Sequence, residues 1–193
     1  MASYYYFVAT LPTLMDSAVP PFGYTEFMAR AAGQLKPRDF TILDSAKLSI
    51  PENGRAPEAA RLSGLLTRYY QWDASVRNEL VRLRSQRLQK PADRHLKPGL
   101  PEWEGIKTAQ AAFLADDPLQ GELLIERDRW AFIEILGANH FFNMEYLVAY
   151  ALKLQTLERR QRFKAELGEE GYRTVYRSVL DTADYRDESG ETR

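Results

Sequence analysis

The chain predicts an all-α fold, an elongated bundle of about six or seven helices, and three observations predict it. Leu147, Ala151, Leu154 and Leu157 stand at i, i+4, i+7 and i+10, one face of a helical period. Leu62, Leu65, Tyr69, Trp72, Val76, Leu80, Leu83 and Arg87 recur three or four apart, the longest periodic pattern in the sequence. Asp117-Pro118-Leu119-Gln120 is a helix start: an acid at the cap, proline at the first position and a Gln three after the cap.

Taken in order, Tyr4–Ala9 is ambiguous, because its aromatic and β-branched residues favour a strand for which no partner strand is found. Pro12, Pro20 and Pro21 make 11–23 an extended, turn-rich connector. Thr25 is the expected N-cap of a short helix over 26–35, with Phe27 and Ala31 inward. Pro37 opens the next helix, with Phe40 and Leu43 on one face. A loop at 49–57 precedes the long pattern, which predicts one continuous helix over 58–90, about 45 Å long and weakened in its first turns by Gly64.

The stiff, polar stretch 91–101 is a second boundary between lobes. A helix over 102–115 follows, with Trp103, Ile106, Ala109 or Gln110, and Phe113 inward. The helix that Asp117 opens is expected to reach Leu136 and stop at Gly137, a natural residue for the position after a helix. The central helix comes next, fed by the aromatic corner 139–142 and capped by Asn143. Glu145 suits its positive end; Arg159, Arg160, Arg162 and Lys164 suit its negative end. It is expected to run to Leu167. Tyr172, Val175, Tyr176 and Val179 mark a last helix, and 184–193 reads as a disordered tail behind a single helical domain of 1–183.

Composition narrows the function classes. Hydrophobic residues at 45% and charged residues at 27% are globular values, and a formal net charge of -1 offers no global field for nucleic acid or anionic lipid. Without cysteine the chain has no disulfide, thiolate metal site or cysteine nucleophile. The opening lacks the basic region and apolar core of a signal peptide, and no run is long enough to span a membrane, so a cytoplasmic location is expected.

No catalytic motif stands out. His95 and His140 lack a second ligand at helical spacing, and His140 beside two phenylalanines reads as a packed, hydrogen-bonded histidine. Neither phosphate-loop pattern nor a nucleophile elbow occurs. Asp116, Asp117, Glu126, Asp128 and Glu134 read as capping or solvated-face charges rather than an acid/base pair. No cofactor, metal or enzymatic role is therefore expected. The basic run Arg77, Arg82, Arg84, Arg87, Lys90, Arg94 and Lys97 reads first as the solvated back of the long helix, with an acidic protein partner or a phosphate backbone as alternatives. Tyr69, Trp72 and Val76 are core by spacing. Tyr4–Tyr6, Tyr146 and Tyr150 read as packing residues first and interface anchors second.

Two stretches carry a resemblance. Tyr4-Tyr-Tyr-Phe-Val-Ala-Thr-Leu-Pro12, with Pro20-Pro21-Phe22 and Glu26-Phe27, resembles the opening of a family of uncharacterised bacterial proteins encoded within V-type ATPase operons. Asn139-His-Phe-Phe-Asn-Met-Glu-Tyr-Leu-Val-Ala-Tyr-Ala-Leu-Lys-Leu-Gln-Thr-Leu-Glu-Arg159 is similar to that family's most recognisable helix. The implied fold is all-helical, distantly like the C (or d) subunit of V/A-type ATPases, a funnel that sits on the membrane rotor ring and receives the foot of the central shaft. It favours a helical 4–9. It also implies a non-catalytic coupling piece whose partners are the central shaft and the rotor ring, peripheral at the membrane through them and with no nucleic acid. The chain departs from the C subunit in length, holding two lobes where that subunit has three.

From their position on the central helix, Tyr146, Tyr150, Lys153, Arg159 and Arg160 are the candidate partner-binding residues. A transient helical adaptor or assembly factor, and a nucleic-acid binder using the 77–97 face, are the alternatives.

Overall fold

All regular structure among the residues described by the computed structural model (4–16, 18–49 and 57–162) is helical. The α-helices are α1 (Tyr4–Ala9), α2 (Tyr24–Gln34), α3 (Pro37–Asp44), α4 (Gly64–Leu88), α5 (Trp103–Phe113), α6 (Pro118–Gly137) and α7 (Met144–Gln161), with 3-10 turns at Glu58–Leu62 and Asp93–His95. The chain divides into two compact units, Met1–Glu158 and Arg159–Arg193. The division falls near the end of α7. The expected extension to Leu167, the last helix around 172–179, the tail 184–193 and most of the 49–57 loop lie outside the described residues.

The first unit is built on α7. Asn143 Oδ1 accepts the Tyr146 N–H at 3.0 Å, the predicted cap. Leu147, Ala151, Leu154 and Leu157 are all buried, as their spacing requires. Polar side chains of the same helix then reach outward to the other elements. Glu145 accepts the Ser63 hydroxyl and, at 3.0 Å, the Gly64 N–H at the head of α4. Gln155 Nε2 donates to the Ala46 carbonyl oxygen at 2.7 Å, just beyond α3. Glu158 Oε1 accepts the Tyr24 N–H at 2.6 Å, at the head of α2. Two carboxylates of one helix thus satisfy orphan N–H groups of two others and sit where helix dipoles favour negative charge.

That arrangement corrects the expected start of α2. Thr25 is not the cap; Gly23 stands at that position without a side-chain bond, and Glu158 supplies the acceptor. The predicted helix over 58–90 is also broken. Ser63 is extended (φ -116, ψ 120), and its hydroxyl accepts the Leu66 N–H at 3.1 Å, so α4 begins at Gly64. At the first helical position Gly64 does not interrupt the ladder, and Leu62, ahead of the break, is exposed. Gln89 ends α4 in the left-handed region (φ 52), a place where a non-glycine residue is uncommon.

Close packing of α5 on α4 depends on small residues. Gly105, Thr108 and Ala109 are the buried face, and a Cβ at Gly105 would lie 2.7 Å from the Trp72 carbonyl oxygen. Trp103, expected inward, is exposed at the first position of α5, with Lys107 Nζ 5.4 Å from its ring centroid. Asn78 clasps the connector between α4 and α5, donating to the Lys97 carbonyl oxygen at 2.9 Å and accepting its N–H at 2.7 Å. Asp117 caps α6 as predicted, accepting the Gln120 N–H at 2.8 Å, and the helix ends at Gly137. Trp72 stacks on Phe132 across α4 and α6, centroids 5.6 Å apart.

Candidate functional site

At its start, α1 meets the aromatic corner that precedes α7. The Tyr4–Ala9 segment is a helix, not the strand its propensity favours: Phe7 and Val8 turn inward, and Phe7 stacks on Phe27 at 5.8 Å. The opposite side of this single turn and a half is left outward. Tyr5 and Tyr6 are 61% and 72% exposed, and their rings pack edge to face at 5.8 Å. Tyr5 also lies 4.9 Å from Phe142, which is 53% exposed beside Phe141 at 65%. Large exposed aromatics drawn from two distant parts of the chain therefore share one region of the surface. Scattered exposed apolar residues are ordinary; clustered aromatic ones mark a contact face.

The predicted site residues separate into different roles. Tyr146 is half-buried behind the corner, its ring 6.4 Å from that of Tyr150. Tyr150 is only 4% exposed and is a core residue, not a surface anchor. Its ring packs against Phe27 at 5.3 Å, and its hydroxyl donates to the Pro12 carbonyl oxygen at 3.0 Å. Burial raises the pKa of both phenols; for Tyr150 the neighbouring Tyr146 adds to it. Lys153 donates to Glu134 at 3.0 Å and lies 5.1 Å over the Trp130 ring. Arg159 and Arg160 are in the last turn of α7, open the second unit, and are each already engaged. Within the first unit Tyr146, Tyr150 and Lys153 thus have three different surroundings.

His140 is half-buried and accepts from Asn143 Nδ2 at 2.9 Å, so the capping residue also orients the histidine of the corner. Among the described residues no group of three or more His, Asp or Glu is placed to hold a metal ion, and no helix is long and apolar enough to cross a membrane.

The carboxylates hold one surprise. Glu126, expected on a solvated face, is fully buried with Arg129 and Asp73. Arg129 pairs with Glu126 one turn away on α6 and approaches Asp73 of α4 at 3.7 Å, while Arg77 holds the other Asp73 oxygen at 2.8 Å. Arg129 also lies 5.7 Å over the Trp72 ring. Burial works against the Arg129 charge, but Tyr69, Glu126 and Asp73 around it raise its pKa, so the guanidinium stays charged. The group is buried and joins α4 to α6 through charge. Its signal was present in the sequence: Glu126, Arg129 and Ile133 lie at i, i+3 and i+7, so two charges occupy a core stripe.

No family model, curated protein or solved structure matches the chain.

Proposed function

We propose that this chain is a non-catalytic subunit or accessory protein of a V-type ATPase, coupling the central rotor shaft to the membrane ring by shape and contact. The observation that supports it is the exposed aromatic cluster of Tyr5, Tyr6, Phe141 and Phe142. These four residues belong to the two stretches that resemble the ATPase-operon family, and the same stretches pack together beneath them through Phe7–Phe27, Phe27–Tyr150 and Tyr150–Pro12. The buried contacts make a platform; the outward rings are the part a partner can reach. Aromatic side chains bring large contact area at low entropic cost and are enriched among residues that dominate binding.

In this reading the cluster seats in an apolar recess of an ATPase subunit, and the chain reaches the membrane only through that complex. The basic end of α7, Arg159 and Arg160, is a separate candidate contact for acidic groups. The test is affinity purification of the tagged chain from gently solubilised native membranes, with stoichiometry read by mass spectrometry. One copy per ATPase, retained through moderate salt, is the expected result. Recovery without any ATPase subunit would overturn the proposal.

A further inference from the structure

A second surface, distant in sequence from the aromatic cluster, has the opposite chemistry. The C-terminal half of α4 and the segment 90–95 line an open recess of about 630 Å³. Val81, Leu88 and Pro91 give it an apolar lining, and Arg84, Lys90 and Arg94 bring three cations against one carboxylate, Asp93. Leu88 is exposed, which a closing helix end has no need of.

Arg30, Lys47, Arg77, Arg82, Lys107, Arg127 and Lys153 each meet a carboxylate. Arg84, Lys90 and Arg94 meet none among the described residues. Among the described residues Lys36, Arg38, Arg61, Arg68, Arg87 and Lys97 also lack an ion pair, and what distinguishes the three cations here is that they line one apolar recess. Their charge is therefore available to an incoming anion.

We propose that this recess takes an acidic peptide segment of a partner protein. One bulky apolar side chain seats on Val81, Leu88 and Pro91, and carboxylates on either side of it pair with Arg84, Lys90 and Arg94. The volume falls in the range of a ligand pocket and admits a large side chain with room beside it. A nucleic acid fits less well, because Val81, Leu88 and Pro91 offer a phosphate backbone nothing to pair with and His95 is the single aromatic ring on the lining to stack a base. A membrane surface fits less well too, because the apolar residues line a recess instead of projecting from a face.

The probe is a fluorescein-labelled peptide of alternating glutamate and leucine, followed by fluorescence anisotropy with the full chain. Saturable binding that weakens with salt is expected. Arg84→Glu with Arg94→Glu should weaken it about tenfold, and Leu88→Asp should weaken it independently. Arg68→Glu, an exposed cation of the same helix outside the recess, should leave it unchanged. Circular dichroism of each variant confirms that the helices persist. Absence of saturable binding, or equal binding by the double variant, would overturn the proposal. So would binding of a DNA duplex or phosphatidylserine vesicles that is lost in the double variant while the peptide fails to bind.

Discussion

The Tyr150 hydroxyl donates to the Pro12 carbonyl oxygen across 3.0 Å, joining segments 138 residues apart. The bond ties the proline-rich connector to the central helix and, with the Phe27 ring below it, fixes where α1 leaves its outward rings. Tyr150→Phe keeps the ring and loses the bond, at a cost of about 1 kcal/mol. Tyr150→Ala removes the ring as well and should cost about 3–5 kcal/mol. Urea unfolding curves for the two variants separate these contributions. Equal losses would mean that the ring packing is not what holds the connector.

Arg129 is shared by Asp73 and Glu126 inside the α4–α6 interface. Arg129→Met leaves two carboxylates enclosed without that guanidinium and should cost about 3–5 kcal/mol. Adding Asp73→Asn and Glu126→Gln to it should recover much of the loss, because no net charge then remains to be desolvated. Chemical denaturation of the single and triple variants tests both halves. A triple variant no more stable than the single one would contradict the account of the cluster as a charge lock.

Gly105→Ala places a methyl group 2.7 Å from the Trp72 carbonyl oxygen. Backbone cannot yield as a flexible side chain does, so α5 must move away from α4, at about 1–3 kcal/mol. The same change at Gly33, where a Cβ meets nothing within 4 Å, should be neutral or slightly stabilising within its helix. Thermal melts of the two variants give the comparison, and a similar melting temperature for both would argue against close α4–α5 packing.

Alkali should unfold the protein through its tyrosines. Burial, with Asp39 beside it, raises the Tyr4 phenol to about 12, and burial also raises Tyr24, Tyr69, Tyr70, Tyr146 and Tyr150. The folded state holds these protons more tightly than the unfolded chain, whose tyrosines ionise at about pH 10. Stability is therefore full below that value and falls as pH climbs through 10 to 12 and beyond. Tyrosinate absorbance followed with circular dichroism should show the buried rings of Tyr69, Tyr70 and Tyr150 ionising together with melting of the helices. Ionisation of all eleven tyrosines at one ordinary pH with the helices intact would contradict it.

Much of this fold is legible locally. The Asn143 and Asp117 caps, Pro37 at a helix start and the buried stripe of α7 all depend on residues within a few positions of one another. What escaped depends on distance or on bulk. Glu145 and Glu158 cap helices far from them in sequence, so no local pattern marks Gly23 or Ser63 as their counterparts. Leu62 falls in phase with the α4 stripe although Ser63 breaks the backbone, and periodicity runs across the break. Trp103 draws attention by size, whereas Gly105 and Ala109 decide the interface by their smallness. The candidate site follows the same division. Tyr5, Tyr6 and Phe142 are conspicuous in the sequence, but that they share one exposed surface comes from the packing of α1 against the turn before α7. Tyr150 looked like an anchor because it is a tyrosine on the central helix; the proline-rich segment covers it.

The most direct test of the coupling proposal compares the wild-type chain with Tyr6→Ser/Phe142→Ser in affinity purification from solubilised native membranes. Both positions are exposed, so the variant should keep its stability to within about 1 kcal/mol. The account predicts one copy per V-type ATPase for the wild type and loss of the ATPase subunits from the variant. Equal recovery of the ATPase by both would contradict the aromatic cluster as the contact, and recovery of the wild type with no ATPase subunit would contradict the proposed function itself.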